Sequence, residues 1–225
     1  MRMGQARTAI FLMIALGSLA SQGHSENMRD DQRLIVAADK NDTATVQRLL
    51  KAGVNIHARD GEGRTALFAA TSHNHVESAR LLIEAGADVN AQDNKFDSPL
   101  LLAGASGYLD ILTLTLKANP DLKVYNRFGG TALIPACERG HVDVVKELLK
   151  TEIDIDHVNN LGWTALLEAI ILSDGGPKHQ EIVRILVAAG AAVNSPDQDG
   201  VTPLQHARRK GYREIVGTLE AAGAR

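Results

Sequence analysis

The sequence predicts an all-α solenoid of about six helix-turn-helix repeats joined by hairpin loops. Three observations carry that expectation. Thr65-Ala66-Leu67, Ser98-Pro99-Leu100, Thr131-Ala132-Leu133 and Thr164-Ala165-Leu166 follow one another at 33 residues, and Thr202-Pro203-Leu204 comes after 38. Nine residues beyond the Thr or Ser stands a turn signal, as in Asn74-His75, Gly107-Tyr108, Gly140-His141 and Gly211-Tyr212, and a second apolar segment follows it. Apolar residues make up 44% but aromatics only 4%, so the core is built from Leu, Ala, Ile and Val, which suits packed helices better than sheets. A fixed period of this length marks a stack of small units, none of which buries its own apolar face.

In chain order, residues 1–20 read as a signal peptide. Arg2 and Arg7 supply positive charge, Ala9 to Leu16 is apolar, and Ser18 and Ala20 are the small residues of a cleavage site, with cutting expected after Ala20. The apolar run is shorter than the roughly 20 residues a spanning helix needs. Residues 21–31 form a linker. The repeat domain is expected over 32–225, divided at 32–60, 61–93, 94–126, 127–159, 160–197 and 198–225. The first copy lacks the tripeptide but places Leu34, Ala37, Asn41 and Leu49-Leu50 in the same frame, and its Asp30, Asp31, Asp39 and Lys40 suit a polar end cap.

Each later copy carries its own start and stop signals. The Thr or Ser is an N-cap whose hydroxyl satisfies an orphan N–H, and Pro99 and Pro203 sit at the first helical position, where no donor is missed. Gly53, Gly86, Asn119, Gly190 and Gly223 close the second helices in a left-handed conformation. Asp60-Gly61-Glu62-Gly63, Asn126-Arg127-Phe128-Gly129, Asn159-Asn160-Leu161-Gly162 and Asp197-Gln198-Asp199-Gly200 have the chemistry of tight hairpin turns. The five extra residues of the fifth copy fall around Ser173-Asp174-Gly175-Gly176-Pro177, between its two helices, and are expected to form a flexible elongated turn.

These residues resemble the ankyrin repeat, whose pattern runs G-x-T-P-L-H-x-A-A, then G-H, then L-L-L-x-x-G-A-D-V-N. The likeness covers residues 32 to 225. It implies a protein that binds a protein partner through a concave face formed by hairpin tips and the outward positions of each first helix. The departures gather in the third to fifth copies and predict weaker local stability there. Phe96 replaces the turn Gly, so its backbone is strained or rearranged. Pro135 removes the first intrahelical bond of its helix, and Glu152 replaces a closing Gly. The His of the motif is replaced throughout, by Phe68, Leu101, Ile134, Leu167 and Gln205.

The chemistry that the sequence excludes is as informative. The formal charge is −3, and no basic run exceeds Arg208-Arg209-Lys210, so nucleic acid is not an expected partner. No phosphate-binding glycine loop, nucleophile elbow or H-E-x-x-H motif is present. The lone Cys137 falls at a core position and forms no intramolecular disulfide, and His75, with His141 and His179, holds a turn position where it bonds backbone. His73 and His75 are therefore not read as a metal pair. No catalytic residue, metal or cofactor is expected, and the chain is expected to be a monomer with no membrane insertion after signal cleavage.

The candidate partner-binding residues are Arg64, His73, Lys95, Phe96, Arg127, Phe128, Arg139, Leu161 and Trp163. Phe96, Phe128, Leu161 and Trp163 stand at hairpin positions that ordinarily face solvent, where they would form an apolar stripe flanked by Arg127 and Arg139. Aromatic side chains and Arg are the usual anchors of protein interfaces. The expectation is a periplasmic or secreted interaction module: an adaptor, an inhibitor or immunity protein, or a protector of an envelope protein. An enzyme with an unrecognised site and a chaperone-like stabiliser without a fixed partner are the competing readings.

Overall fold

The computed structural model describes residues 30–225, so the leader expected over residues 1–20 lies outside the described residues. Helical segments come in six pairs: α1 (30–39) and α2 (Thr43–Lys51), α3 (Ala66–Ser72) and α4 (Val76–Glu84), α5 (Pro99–Ser106) and α6 (Leu109–Lys117). The chain continues through α7 (Leu133–Glu138) and α8 (Val142–Leu148), α9 (Ala165–Ile171) and α10 (Pro177–Ala188), and α11 (Pro203–Lys210) and α12 (Arg213–Ala221). No strand is present among the described residues. First helices α3, α5, α7, α9 and α11 stack in one row and second helices α2 to α12 in another, each touching its counterpart in the next repeat. One continuous core runs between the rows, from Leu34 and Leu49 through Leu67, Leu82, Ile111, Leu133, Leu148, Leu166 and Leu186 to Leu219.

The start signals work where the local backbone allows. Thr65, Ser98, Thr164 and Thr202 each accept a hydrogen bond from the N–H three residues on, and Gln205 returns a bond to the Thr202 N–H as a full capping box. Thr131 does not cap. In the other repeats the residue four beyond the cap donates its N–H to the cap carbonyl, as Ala69 does to Thr65 at 3.0 Å and Glu168 to Thr164 at 3.0 Å. The corresponding residue here is Pro135, which has no N–H to give. Ala132 turns helical without a side-chain cap bond, α7 begins one residue late at Leu133, and the buried Thr131 hydroxyl has no partner.

Stop signals divide the same way. Gly53, Gly86, Asn119, Gly190 and Gly223 all have positive φ. Glu152 does not; α8 is closed instead by Thr151, whose hydroxyl donates to the Leu148 carbonyl at 2.6 Å and accepts from Ile153 N–H at 3.3 Å. The expected flexible turn of the fifth repeat is bound down in the structure. Tyr212 donates its hydroxyl to the Ser173 carbonyl at 2.6 Å, Gln180 donates to the Gly175 carbonyl at 2.9 Å, and Asp174 accepts from Gly176 N–H at 2.8 Å. Gly175, at φ 66°, lies under the Tyr212 ring, where any Cβ would overlap it. The insertion is thus tied into the next repeat.

The turn histidines behave as their position demands. Nε2 of His75, His141 and His179 lies 3.1, 3.2 and 2.9 Å from the carbonyls of Asp39, Ala105 and Glu138, each in the preceding repeat. Cys137 is fully buried, and that burial pushes its thiol well above the ordinary range, which leaves it an inert packing group.

Candidate functional site

Every hairpin tip is built around one Asp or Asn. Oδ1 of Asp60 accepts from the N–H groups of Glu62 and Arg64, both at 2.9 Å. Asp93, Asn126, Asn159 and Asp197 repeat the pattern with the residues two and four further on. Each also donates its own N–H to the carbonyl four residues later, so the tips are identical in backbone and differ in what they carry. The residue three beyond the Asx is left-handed in all five: Gly63, Phe96, Gly129, Gly162 and Gly200. Phe96 therefore holds a φ of 64° that costs a residue with a side chain about 1–2 kcal/mol.

The neighbouring repeat explains why Phe96 fits. A Cβ at Gly63 would overlap Asn94 Oδ1, one at Gly129 would overlap Asn160 Oδ1, and one at Gly162 would overlap Gln198. The residue in that register beside Phe96 is Arg127, and its guanidinium lies over the Phe128 ring, 4.7 Å from the centroid. Asn94 and Asn160 donate their N–H groups to Glu62 and Phe128 carbonyls at 2.9 Å, joining adjacent tips. No such bond joins residues 95 and 127, or residues 161 and 198, among the described residues. The two departures, Gly to Phe and Asn to Arg, are thus one local rearrangement.

Below these tips, repeats three to five enclose a concave pocket of about 360 Å³. Leu101, Leu102, Ile134, Pro135, Leu161 and Leu172 form its apolar wall, and Phe128 with Arg127 stands at its tip side. Three carboxyl groups open on it, from Asp97, Glu138 and Glu168, with Arg139 beside them. Glu168 is the unusual member. It occupies the inner-face position that is Ala69, Leu102 and Pro135 in the preceding repeats, it is 6% exposed, and its Oε1 accepts a 2.8 Å bond from Asn159 Nδ2. Burial, reinforced by the Glu138 charge, pushes its carboxyl up to about 7 against the opposing effect of Asn159 and Arg139. Burial and the nearby Asp93 also raise Asp97.

The sequence-derived candidates do not all line this pocket. Arg127, Phe128, Arg139 and Leu161 meet at the pocket, with Phe128 and Leu161 50% and 49% exposed. Arg139 reaches back to donate to the Ala105 carbonyl at 2.8 Å. Among the described residues Phe96 is the most exposed large apolar side chain, at 59%, and stands on the tip next to the pocket without lining it. Lys95 is exposed on the same tip. Trp163 is only partly exposed and lies outside the pocket lining; its N–H and carbonyl are both held by Asn159. Arg64 is drawn into its own hairpin by Asp60 at 2.8 Å, and His73 stacks on His75 beside Ser72 and Asp39, one repeat further off. Glu168 is the main residue that the sequence reading left out. Its signal is a carboxylate at a position taken by Ala, Leu and Pro in the three repeats before it. Among the described residues no group of three or more His, Cys, Asp and Glu side chains is placed to hold a metal ion, and no helix is long and apolar enough to cross a membrane.

Known proteins match this architecture along most of the chain. A family model described as ankyrin repeats (3 copies) matches residues 8–93, 34–126 and 100–194. The solved ankyrin repeat domain from Acinetobacter baumannii AYE is similar at 55% identity and a TM-score of 0.84, covering 86% of this chain and 98% of that one. The solved ankyrin repeat protein EF0377 is similar at 44% identity and a TM-score of 0.81, covering 83% of this chain and 96% of that one. Among curated proteins, the putative ankyrin repeat protein YahD of Escherichia coli (strain K12) is 51% identical over 57 residues, which are 25% of this chain and 28% of YahD.

Proposed function

Because the chain belongs to the ankyrin-repeat family, a family of protein-binding scaffolds, we propose that it captures one protein partner in the concave pocket of repeats three to five. The observation that carries this reading is the pocket itself: half-exposed Phe128 and Leu161 at its rim over a wall of buried Leu101, Ile134 and Pro135. Exposed apolar groups gathered at one concavity and ringed by charge are the usual anatomy of an interface centre. The partner is an envelope protein, and this chain is its adaptor, inhibitor or protector. The export half of that proposal rests on the charged, apolar and small residues of 1–20.

Affinity purification of the mature chain from envelope extract, read by mass spectrometry, tests the pair of claims. One protein retained near equal stoichiometry by the wild type, and lost with Phe128→Ala/Leu161→Ala at unchanged helical circular dichroism, is the expected result. Weak retention of many proteins would make the chain a general stabiliser instead. Equal retention by the double variant would move the site elsewhere. The exported form should begin at Ser21; a chain isolated with Met1 intact from the cytoplasm would overturn the location.

A further inference from the structure

The pocket is not neutral ground for any apolar group. It pairs an aliphatic wall with a carboxylate sunk among hydrophobic side chains. Among the described residues the one hydrogen bond to the Glu168 carboxyl is that from Asn159 to Oε1, so Oε2 carries none, on a residue that lines the concavity. A carboxylate is kept in such a place at a cost unless something pairs with it. Of the two cations nearby, Arg139 donates to the Ala105 carbonyl and acts on Glu168 without forming an ion pair with it, and Arg127 lies on the Phe128 ring. On the far side, α11 carries His206, which is bonded to Asp197 at 2.7 Å, and contributes no residue to the lining. Glu138 on α7 and Asp97 on the hairpin tip built around Asp93 bring two further carboxyl groups to the same opening.

Resting on the binding role proposed above, we infer that this pocket receives an arginine side chain of the partner, its stem along Ile134, Pro135 and Leu172 and its guanidinium on Glu168. The volume, about 360 Å³, lies at the small end of ligand pockets and suits one long side chain better than a folded segment. An aliphatic stem ending in a cation matches a wall that is apolar along its length and acidic at its base. Guanidinium is the better fit than ammonium, because its five fixed donors can use Oε2 together with the Glu138 carboxyl, whose charge already acts on Glu168, and because it is the more weakly hydrated cation to bury. Pairing also removes the penalty on ionised Glu168, so binding and ionisation strengthen each other.

The test is an NMR titration of the isotope-labelled chain with N-acetylarginine amide, alongside the lysine, norleucine and glutamate analogues and spermidine. Saturable shifts confined to pocket-lining amides are expected. Arginine should bind about tenfold more tightly than norleucine at pH 8, the gain of a charge-assisted pair. That advantage should shrink towards pH 5 as Glu168 is protonated. Glu168→Gln, which keeps the oxygen that Asn159 bonds, should abolish both the advantage and its pH dependence while the circular dichroism is unchanged. Equal binding of norleucine, tighter binding of the glutamate analogue, tighter binding of spermidine, or an unchanged arginine affinity in Glu168→Gln would each overturn the assignment. Partner capture that survives Glu168→Gln but not Phe128→Ala/Leu161→Ala would leave the binding role standing and remove the arginine.

Discussion

At the scale of single residues, two buried polar groups set measurable terms. Glu168 is protonated more readily in the fold than in the unfolded chain, because its carboxyl is pushed up to about 7. Below an ordinary glutamate value both states are protonated and the group is neutral to stability. Between there and about pH 7 the native state binds more protons, so stability falls as pH rises, by on the order of 3 kcal/mol in all. Glu168→Gln should therefore raise the thermal midpoint at pH 8 and leave it unchanged near pH 4, as read by calorimetry at both values. An equal shift at both would show that the carboxyl is not the source. The second group is Thr131, whose buried hydroxyl has no partner. Thr131→Val should stabilise by about 1 kcal/mol, since it removes an unsatisfied group without changing shape. Thr164→Val should cost about 1 kcal/mol, since there the hydroxyl caps α9. Urea denaturation of the two variants should thus move in opposite directions although the residues hold the same place in the repeat.

At the scale of elements, the hairpin tips built on Asp93 and Asn126 are coupled. Phe96 occupies a left-handed site, and Arg127 replaces the Asn that would collide with its Cβ. Phe96→Gly alone should stabilise by about 1 kcal/mol through lost strain. Arg127→Asn alone should destabilise, because Asn meets the Phe96 Cβ and the stacking on Phe128 is lost. Together they rebuild the pair found at Gly63 with Asn94 and at Gly129 with Asn160, so the double variant should exceed the sum of the singles by about 1 kcal/mol in a thermodynamic cycle. The helices, every Thr or Ser cap but Thr131 and the left-handed closures were legible in the sequence because each is decided within a few residues: Ser98 with Leu101, Gly86 with Ile83. Phe96 was legible as a strained tip for the same reason. The pocket was not. Its wall comes from Leu101, Ile134 and Leu172 in three repeats, and the burial of Glu168 depends on how those repeats stack. Trp163 shows the same gap, since a hairpin position announces exposure while packing against neighbours decides how much remains.

At the scale of the molecule, a solenoid is close to a one-dimensional sum of repeat and interface terms, so defects gathered in one place make a weak seam. Here most of them gather in repeats three and four. Phe96 is strained, the tip-to-tip bond between residues 95 and 127 is missing, α7 lacks its cap and first bond, and α8 lacks a left-handed closure. Residues of both repeats also line the pocket, so the seam and the pocket coincide. Native-state hydrogen exchange should show it. Amides of α7 and α8 should exchange about tenfold faster than those of α3 and α4, although α3 and α4 lie nearer an end of the stack, where fraying would otherwise dominate. The Phe96→Gly/Arg127→Asn variant should narrow that difference, because it restores the bond between the tips. Protection that simply declines from the middle towards both ends would mean that these defects are absorbed locally and that no seam exists.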